Sequence, residues 1–170
     1  ALFAALLLTA MAGLGLGKSR EREVLASLYE RRDFTLLDDK GEFFRLGSLP
    51  ERKLALLVFT PDGIPTDDVK PFFDFGRHLD EIRGRGIEPF LVSRTNREIA
   101  RNFKEAAHFS ARLLLDAGGS VGRIAGAWEN SPASTWAYAL VDRSFRVLWL
   151  ANSDRPMSYA RLTEELQKAR

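Results

Sequence analysis

The side chains best suited to chemistry lie in a short polar loop, residues 60–66, that follows an apolar run. The loop reads Thr-Pro-Asp-Gly-Ile-Pro-Thr and places Asp62 close in sequence to Asp67 and Asp68. Carboxylate oxygens are the ligands that hard divalent cations prefer. Acidic residues in the first turn of a helix also complement its dipole, which explains Asp67 and Asp68 without a metal. We therefore predict neither a metal site nor a cofactor here.

The remaining candidate groups lack the spacing that catalysis or metal binding requires. His78 and His108 lie far apart in the sequence, each in a predicted helix, and do not resemble a pair of metal ligands. Gly118, Gly119 and Gly122 are not followed by the Lys-Ser/Thr pair of a phosphate-binding loop. The 170 residues contain no cysteine, which excludes disulfides, thiolate nucleophiles, CxxC redox pairs and cysteine-ligated metals.

Charge is distributed unevenly along the chain. It has 25 Lys and Arg residues against 23 Asp and Glu residues, a net charge of +2, and no basic run interleaved with aromatic side chains. This pattern does not indicate a nucleic-acid partner. Residues 1–17 carry no charge at all, so the whole charged complement lies after them. These two parts of the chain are therefore expected to face different solvents.

The uncharged segment, residues 1–17, is predicted to be a single-pass membrane anchor. A helix of this length spans about 25 Å at about 1.5 Å per residue, just short of a bilayer core of about 30 Å. The first residue is Ala rather than Met, which leaves room for further apolar residues upstream. The predicted anchor side chains are Leu2, Phe3, Leu6, Leu7, Leu8, Met11, Leu14 and Leu16.

Two other interpretations of this segment stay open. Ala10-Met11-Ala12 resembles a signal-peptidase site, which favours a retained secretory signal, although no basic segment precedes the apolar run. A buried helix of the globular domain is the third interpretation. For an anchored protein, we expect the domain to face the periplasm, and residues 18–32 to form a juxtamembrane amphipathic helix.

Beyond the anchor, strand and helix patterns alternate in the order hairpin, β, α, β, α, β, hairpin, α. Continuous apolar runs predict central strands covered on both faces, and helical spacing of apolar residues predicts the helices between them. Thr66 is the expected N-cap of the first long helix, and Thr95 that of the second, in which Ile99 and Phe103 should face inward. The predicted elements are a hairpin over 33–46, a strand over 54–59, a helix over 66–85, a strand over 87–93, a helix from 95 to about 109, a strand over 113–116, a short helix over 120–128, a hairpin over 136–150 and a helix over 156–170.

Three segments resemble the peroxiredoxin branch of the thioredoxin superfamily. They read DFTLLDDKGEFFRLGSLPERKLALLVFTP, LLLDAGGSVGRIAGAW and AYALVDRSFRVLWL, and they occur in the family's order and spacing. The resemblance implies an α/β, thioredoxin-like three-layer sandwich with a central mixed sheet over residues 33–170, preceded by the predicted transmembrane helix.

The resemblance fails at the family's catalytic positions. It implies a peroxidatic cysteine in the loop after the strand at 54–59, where this chain has Ile64 or Pro65. It also implies an arginine near position 136, where this chain has Trp136, whose indole offers one weak donor in place of a cationic fork. We therefore expect no peroxidase and no thiol-disulfide exchange activity.

The aromatic residues suggest a different use for the domain. Tryptophan is enriched at protein interfaces, so Trp128, Trp136 and Phe75 form a candidate docking surface, with core packing as the alternative. The favoured hypothesis is a non-catalytic, membrane-anchored accessory subunit of a larger membrane complex, for example an energy-transducing one, with lipid and other subunits as partners and no small-molecule substrate. The alternative hypothesis is a ligand-binding or re-tooled enzyme domain that uses the vacated pocket around residues 60–66.

Overall fold

The structure is a computed structural model that describes residues 33–64, 69–128 and 135–168. The predicted alternation of strands and helices is confirmed within these ranges. The strands are β1 (Thr35–Asp38), β2 (Phe43–Arg45), β3 (Leu54–Phe59), β4 (Ile87–Ser93), β5 (Arg112–Leu115), β6 (Trp136–Val141) and β7 (Val147–Ser153). The helices are α1 (Val69–Arg77), α2 (Leu79–Gly84), α3 (Arg97–Ala106), α4 (Ser120–Ile124) and α5 (Tyr159–Lys168).

The seven strands form one mixed sheet in the order β2-β1-β5-β4-β3-β6-β7. β3, β4 and β5 are parallel neighbours, whereas β1, β2, β6 and β7 pair antiparallel. The carboxyl ends of β3, β4 and β5 therefore meet along one edge. In open sheets, ligands bind beyond the carboxyl ends of parallel strands, so this edge is the first place to look for a site.

Hydrophobic clusters cover both faces of the sheet because the central strands are apolar at nearly every position. Consecutive residues of β3, such as Leu56 and Leu57, point to opposite faces, and both are fully buried. Helices α1, α2, α3 and α5 pack on the face of Leu56. Helix α4 and the β1–β2 hairpin pack on the face of Leu57. The apolar runs over residues 54–59 and 87–93 are thus predicted correctly as central strands of the sheet.

The long helix predicted over residues 66–85 is instead two helices. α1 ends at Arg77, and α2 begins at Leu79 after His78, whose backbone is not helical (φ −108°, ψ 14°). Both helices still bury one apolar stripe, so the periodicity predicts the buried face but not the break. The predicted N-cap Thr66 and the acids Asp67 and Asp68 lie outside the described residues.

Two expectations for α3 were wrong. Ile99 is 55% exposed, while Ala100 and Phe103 face the core. The N-cap is Asn96, whose side chain accepts a hydrogen bond from the Glu98 amide at 2.8 Å. The hydroxyl of Thr95 lies 2.8 Å from Ser93 Oγ instead, and its amide donates to the same oxygen at 3.2 Å.

We predict that Asn96→Ala lowers the free energy of unfolding by about 1 kcal/mol, because the Glu98 amide loses its acceptor. Asn96→Asp keeps a carboxyl oxygen in the same place and serves as the control, with little change expected. Urea unfolding of both variants measures the difference. Equal losses in the two variants would contradict a capping role for Asn96.

The described ranges contain no helix long and apolar enough to cross a membrane. The predicted anchor over residues 1–17 and the juxtamembrane helix over 18–32 lie outside those ranges.

Candidate functional site

The loop after β3 enters the carboxyl-end edge of the sheet beside β4 and β5. Thr60 is fully buried, and its amide donates to the Val92 carbonyl at 3.0 Å, which ties the loop to β4. Ile64, one of the two positions where the family resemblance implies a cysteine, is half-buried and packs against the core. The other position, Pro65, lies outside the described residues. An aliphatic side chain thus occupies the described candidate position.

Three hydroxyl groups form a chain behind this edge. Thr60 Oγ1 donates to Ser93 Oγ at 2.9 Å, and Ser93 Oγ lies 2.8 Å from Thr95 Oγ1. Thr60 and Ser93 are fully buried. Ser93 Oγ also accepts the Thr95 amide at 3.2 Å, so its own hydrogen is directed to Thr95 Oγ1. This order leaves the hydroxyl hydrogen of Thr95 for a further acceptor.

An arginine and an aspartate close the mouth of the loop. Arg94 follows β4 directly, and its Nε and Nη2 donate to the two Asp62 carboxyl oxygens at 2.9 and 2.6 Å. A guanidinium and a carboxylate joined by two parallel hydrogen bonds form a geometrically specific pair. The Arg94 side chain is 23% exposed and that of Asp62 is 50% exposed, so the pair faces solvent on one side.

The indole of Trp128 lies against the guanidinium of Arg94. The Arg94 Cζ atom lies 4.2 Å from the centre of the indole, a cation–π distance. The indole also meets the Phe59 ring edge to face at 5.2 Å. A Cβ atom at Gly122 would come within 2.1 Å of Trp128 Cε3, so the indole fits only because position 122 is glycine.

The β5–α4 turn completes the edge. Asp116 is buried, and its carboxylate accepts the amides of Ser120 at 2.9 Å and Gly122 at 3.0 Å. These bonds fix the first turn of α4. Gly119 precedes the helix at φ +65°, a conformation that glycine adopts without strain. The Asp-x-x-Gly pattern is thus a structural turn here.

These elements surround an open depression of about 450 Å³. Its lining combines charged, polar and apolar groups from the loops that follow β3, β4 and β5 and from the first turn of α3. The lining residues are Asp62, Arg94, Thr95, Asn96, Ile99, Ala117 and Gly118.

The structure corrects two of the three residues of the predicted docking surface. Phe75 and Trp136 are fully buried, and Trp136 stacks on Phe72 at 5.1 Å inside the aromatic core. Neither side chain can meet a partner because neither reaches the surface. Trp128 is half-buried, and its ring contacts Arg94 and Phe59. Core packing, the alternative interpretation, explains Phe75 and Trp136.

The residues first considered for metal binding do not come together in the described part of the chain. His78 stacks on Tyr159 at 4.2 Å, and His108 meets the edge of Phe73 at 5.3 Å. Asp62 is paired with Arg94. No group of three or more His, Asp or Glu side chains with a metal-binding arrangement occurs among residues 33–64, 69–128 and 135–168.

Sequence reasoning gave Arg94 no role, although a signal was present. Arg94 is the first charged residue after an apolar strand, β4, and such positions lie at the ligand-binding edge of a parallel sheet. Its partner Asp62 was singled out, but their pairing depends on β3 and β4 being neighbours, which strand patterns alone do not establish.

No protein-family model and no curated protein matches this chain. Solved structures match its fold. The peroxidoxin BcpB from Mycobacterium tuberculosis is similar with a TM-score of 0.65 and 22% identity, over 81% of this chain and 92% of that chain.

Two further structures agree with this result. The bacterioferritin comigratory protein from Xanthomonas campestris, described for alkyl peroxide reduction, has a TM-score of 0.63 and 17% identity over 81% of this chain and 92% of that chain. A putative thiol:disulfide interchange protein DsbE from Chlorobium tepidum has a TM-score of 0.60 and 16% identity over 82% of this chain and 94% of that chain. The chain therefore has the thioredoxin-like fold of the peroxiredoxin type, as the sequence resemblance implied.

Proposed function

We propose that this chain is a non-catalytic member of the thioredoxin-like proteins that serves as an accessory subunit of a membrane protein complex, anchored by residues 1–17. The absence of catalysis is inferred from the residues at the edge of the sheet where β3, β4 and β5 end. No cysteine exists in the sequence, Ile64 packs against the core, and the Asp62–Arg94 pair closes the loop. Without a thiolate, the edge has no group that can reduce a peroxide or exchange a disulfide.

The anchoring part of the proposal is supported by the contrast between residues 1–17, which carry no charge, and the charged remainder of the chain. A single-pass anchor concentrates the domain at the membrane, where other subunits are accessible. The partner class that we propose is therefore a membrane-embedded assembly, an energy-transducing complex being one example, with the domain on its periplasmic side.

We expect the natural protein to sediment with membranes and to migrate with a larger assembly on native gels after extraction in mild detergent. Leu7→Arg should move most of the protein to the soluble fraction, because a charge near the centre of a spanning helix costs about 2.5–3.5 kcal/mol. Ser19→Arg, which adds the same charge just outside the apolar run, is the matched control and should stay in the membrane fraction. A soluble, monomeric natural protein would overturn the proposal.

A second candidate function is ligand binding at the depression beside Asp62. The specific observation in its favour is the depression itself, whose volume of about 450 Å³ lies in the range of small-molecule sites. A ligand that binds only the folded state must raise the melting temperature. This candidate does not exclude the first, because an anchored subunit can also bind a small molecule.

A further inference from the structure

We propose that the depression beside Asp62 and Arg94 binds the zwitterionic head of an aliphatic α-amino acid. This proposal rests on the second candidate function and names its ligand class. It is independent of membrane anchoring.

The charges of Asp62 and Arg94 favour a ligand that carries both a positive and a negative group. Asp62 and Arg94 form an ion pair at the mouth of the depression, and the two charges cancel. An anion that took over Arg94 would leave the Asp62 carboxylate without its partner, and a cation that took over Asp62 would leave Arg94 without its partner. A ligand with both charges replaces one ion pair with two, so that Asp62 and Arg94 each keep a partner of opposite charge. An amino acid carries an ammonium and a carboxylate on the same carbon, which matches two opposite charges in direct contact.

The Asp62–Arg94 pair is accessible from solvent, so a ligand can reach both charges. Asp62 is half-exposed, so water screens the attraction between its carboxylate and Arg94. A ligand that opens the pair makes two charge-assisted contacts in place of the contacts that it breaks. Arg94 would keep its orientation when the pair opens, because the Trp128 indole lies against its guanidinium at 4.2 Å.

The hydroxyl chain adds a second donor for the ligand carboxylate. Thr95 lines the depression, and its hydroxyl can donate to a ligand, because the two bonds that Ser93 Oγ accepts direct the Ser93 hydrogen to Thr95 Oγ1. Ser93 and Thr60 are fully buried, so the chain behind Thr95 is fixed. The ligand carboxylate would thus meet Arg94 and Thr95, while its ammonium meets Asp62.

The remaining wall of the depression accounts for an aliphatic side chain on the ligand. Ile99 is an apolar side chain that is 55% exposed, and Ala117 lies with it in the lining. Covering exposed aliphatic surface is favourable in proportion to the area removed from water. An aliphatic side chain on the ligand would therefore be favoured over a polar one at this wall.

Isothermal titration of the full chain in detergent with three matched probes tests the proposal. The probes are L-valine, 3-methylbutanoate, which lacks the ammonium, and 2-methylpropylamine, which lacks the carboxylate. We expect saturable 1:1 binding of L-valine, and binding at least tenfold weaker for each of the other two. Binding of 3-methylbutanoate or 2-methylpropylamine as tight as that of L-valine would overturn the zwitterion proposal while supporting a ligand site. Lack of saturation by all three would overturn both.

Substitutions of Asp62 and Arg94 test whether L-valine binds in this depression. Asp62→Asn and Arg94→Gln should each weaken L-valine at least tenfold, and Arg94→Lys should weaken it too, because lysine has no fork for a carboxylate. Asp142 and Arg146 form a similar ion pair at 3.2 Å in the β6–β7 turn, at the opposite end of the sheet. Asp142→Asn and Arg146→Gln are therefore the controls and should leave L-valine affinity unchanged. Unchanged affinity in Asp62→Asn and Arg94→Gln would place the ligand elsewhere and overturn the proposal.

Discussion

Replacement of Phe72 with alanine is expected to lower the free energy of unfolding by about 3–5 kcal/mol, the range for a phenylalanine removed from a packed core. Phe72 is fully buried at the centre of an aromatic cluster. Its ring lies 4.6 Å from that of Phe109, 5.1 Å from Trp136 and 5.2 Å from Phe103. Removing it creates a cavity between rigid rings, which relax poorly into the space.

The neighbouring residue provides a matched control. Phe73 belongs to the same helix, α1, but is 37% exposed and meets only the edge of His108 among the described aromatic contacts. Phe73→Ala changes helix propensity by the same amount as Phe72→Ala, so the difference between them reports burial alone. We expect Phe73→Ala to cost about 1–2 kcal/mol, clearly less than Phe72→Ala, because more than a third of the Phe73 surface stays in water and no enclosed cavity is left behind.

Urea unfolding, followed by tryptophan fluorescence and by circular dichroism, measures both changes. A loss below about 1.5 kcal/mol for Phe72→Ala would show that the cluster is loosely packed, because full burial of a phenylalanine contributes at least about that much before any cavity is counted. It would also reopen the interpretation of Trp136 as a surface residue, since Phe72 is one of the rings that bury it.

The parts of this fold that sequence predicts well are those in which local composition determines burial. β3 and β6 are continuous apolar runs, and β4 is apolar from Pro89 to Val92, so these strands have to be covered on both faces. The same reasoning gives the order of elements, because each crossover between parallel strands requires a helix. The resemblance to peroxiredoxins rests on the order and spacing of these strands and on the turns between them.

The parts that sequence predicts poorly depend on which side of an element meets its neighbour. Ile99 and Phe103 have helical spacing, but the buried stripe of α3 runs through Ala100 and Phe103, and small alanine gives a weak signal. Trp136 and Phe75 have the composition of interface residues, yet the sheet and helices place both inside. The pairing of Asp62 with Arg94 depends on strand order, so the candidate site emerges only from the structure.

Asp38 is expected to make the fold sensitive to acid. Its carboxylate is 2% exposed and accepts the amides of Glu42 at 2.8 Å and Lys40 at 2.9 Å, and Arg112 Nε at 2.7 Å. Burial of the carboxyl raises its pKa, but the hydrogen bonds from Glu42, Arg112 and Lys40 outweigh burial, so the pKa of Asp38 lies below its ordinary value of 3.8.

The direction of this shift determines the direction of the pH effect. The folded state holds the carboxylate in its charged form more strongly than the unfolded chain does. Asp38 therefore contributes its full stabilisation above the unfolded pKa of about 3.9 and loses it as the pH falls through the lower, folded value. The contribution is constant between pH 6 and pH 8, where the group is charged in both states.

Asp38→Ala should lower the free energy of unfolding at pH 7 by about 2–3 kcal/mol, the loss expected for charge-assisted hydrogen bonds. Asp38→Asn should cost less, because its amide oxygen still accepts from Glu42 and Lys40. The matched control is Glu42→Gln, which removes a 72%-exposed carboxylate 3.5 Å from the same arginine and should change stability little.

Urea unfolding from pH 7 to pH 3 separates these contributions. The difference in unfolding free energy between the natural protein and Asp38→Asn should stay constant down to about pH 5, then shrink at lower pH as the natural carboxylate becomes protonated. Glu42→Gln should follow the natural protein through the same range. A difference between the natural protein and Asp38→Asn that grows below pH 5 would mean that Asp38 has a raised pKa, with burial stronger than its three hydrogen bonds.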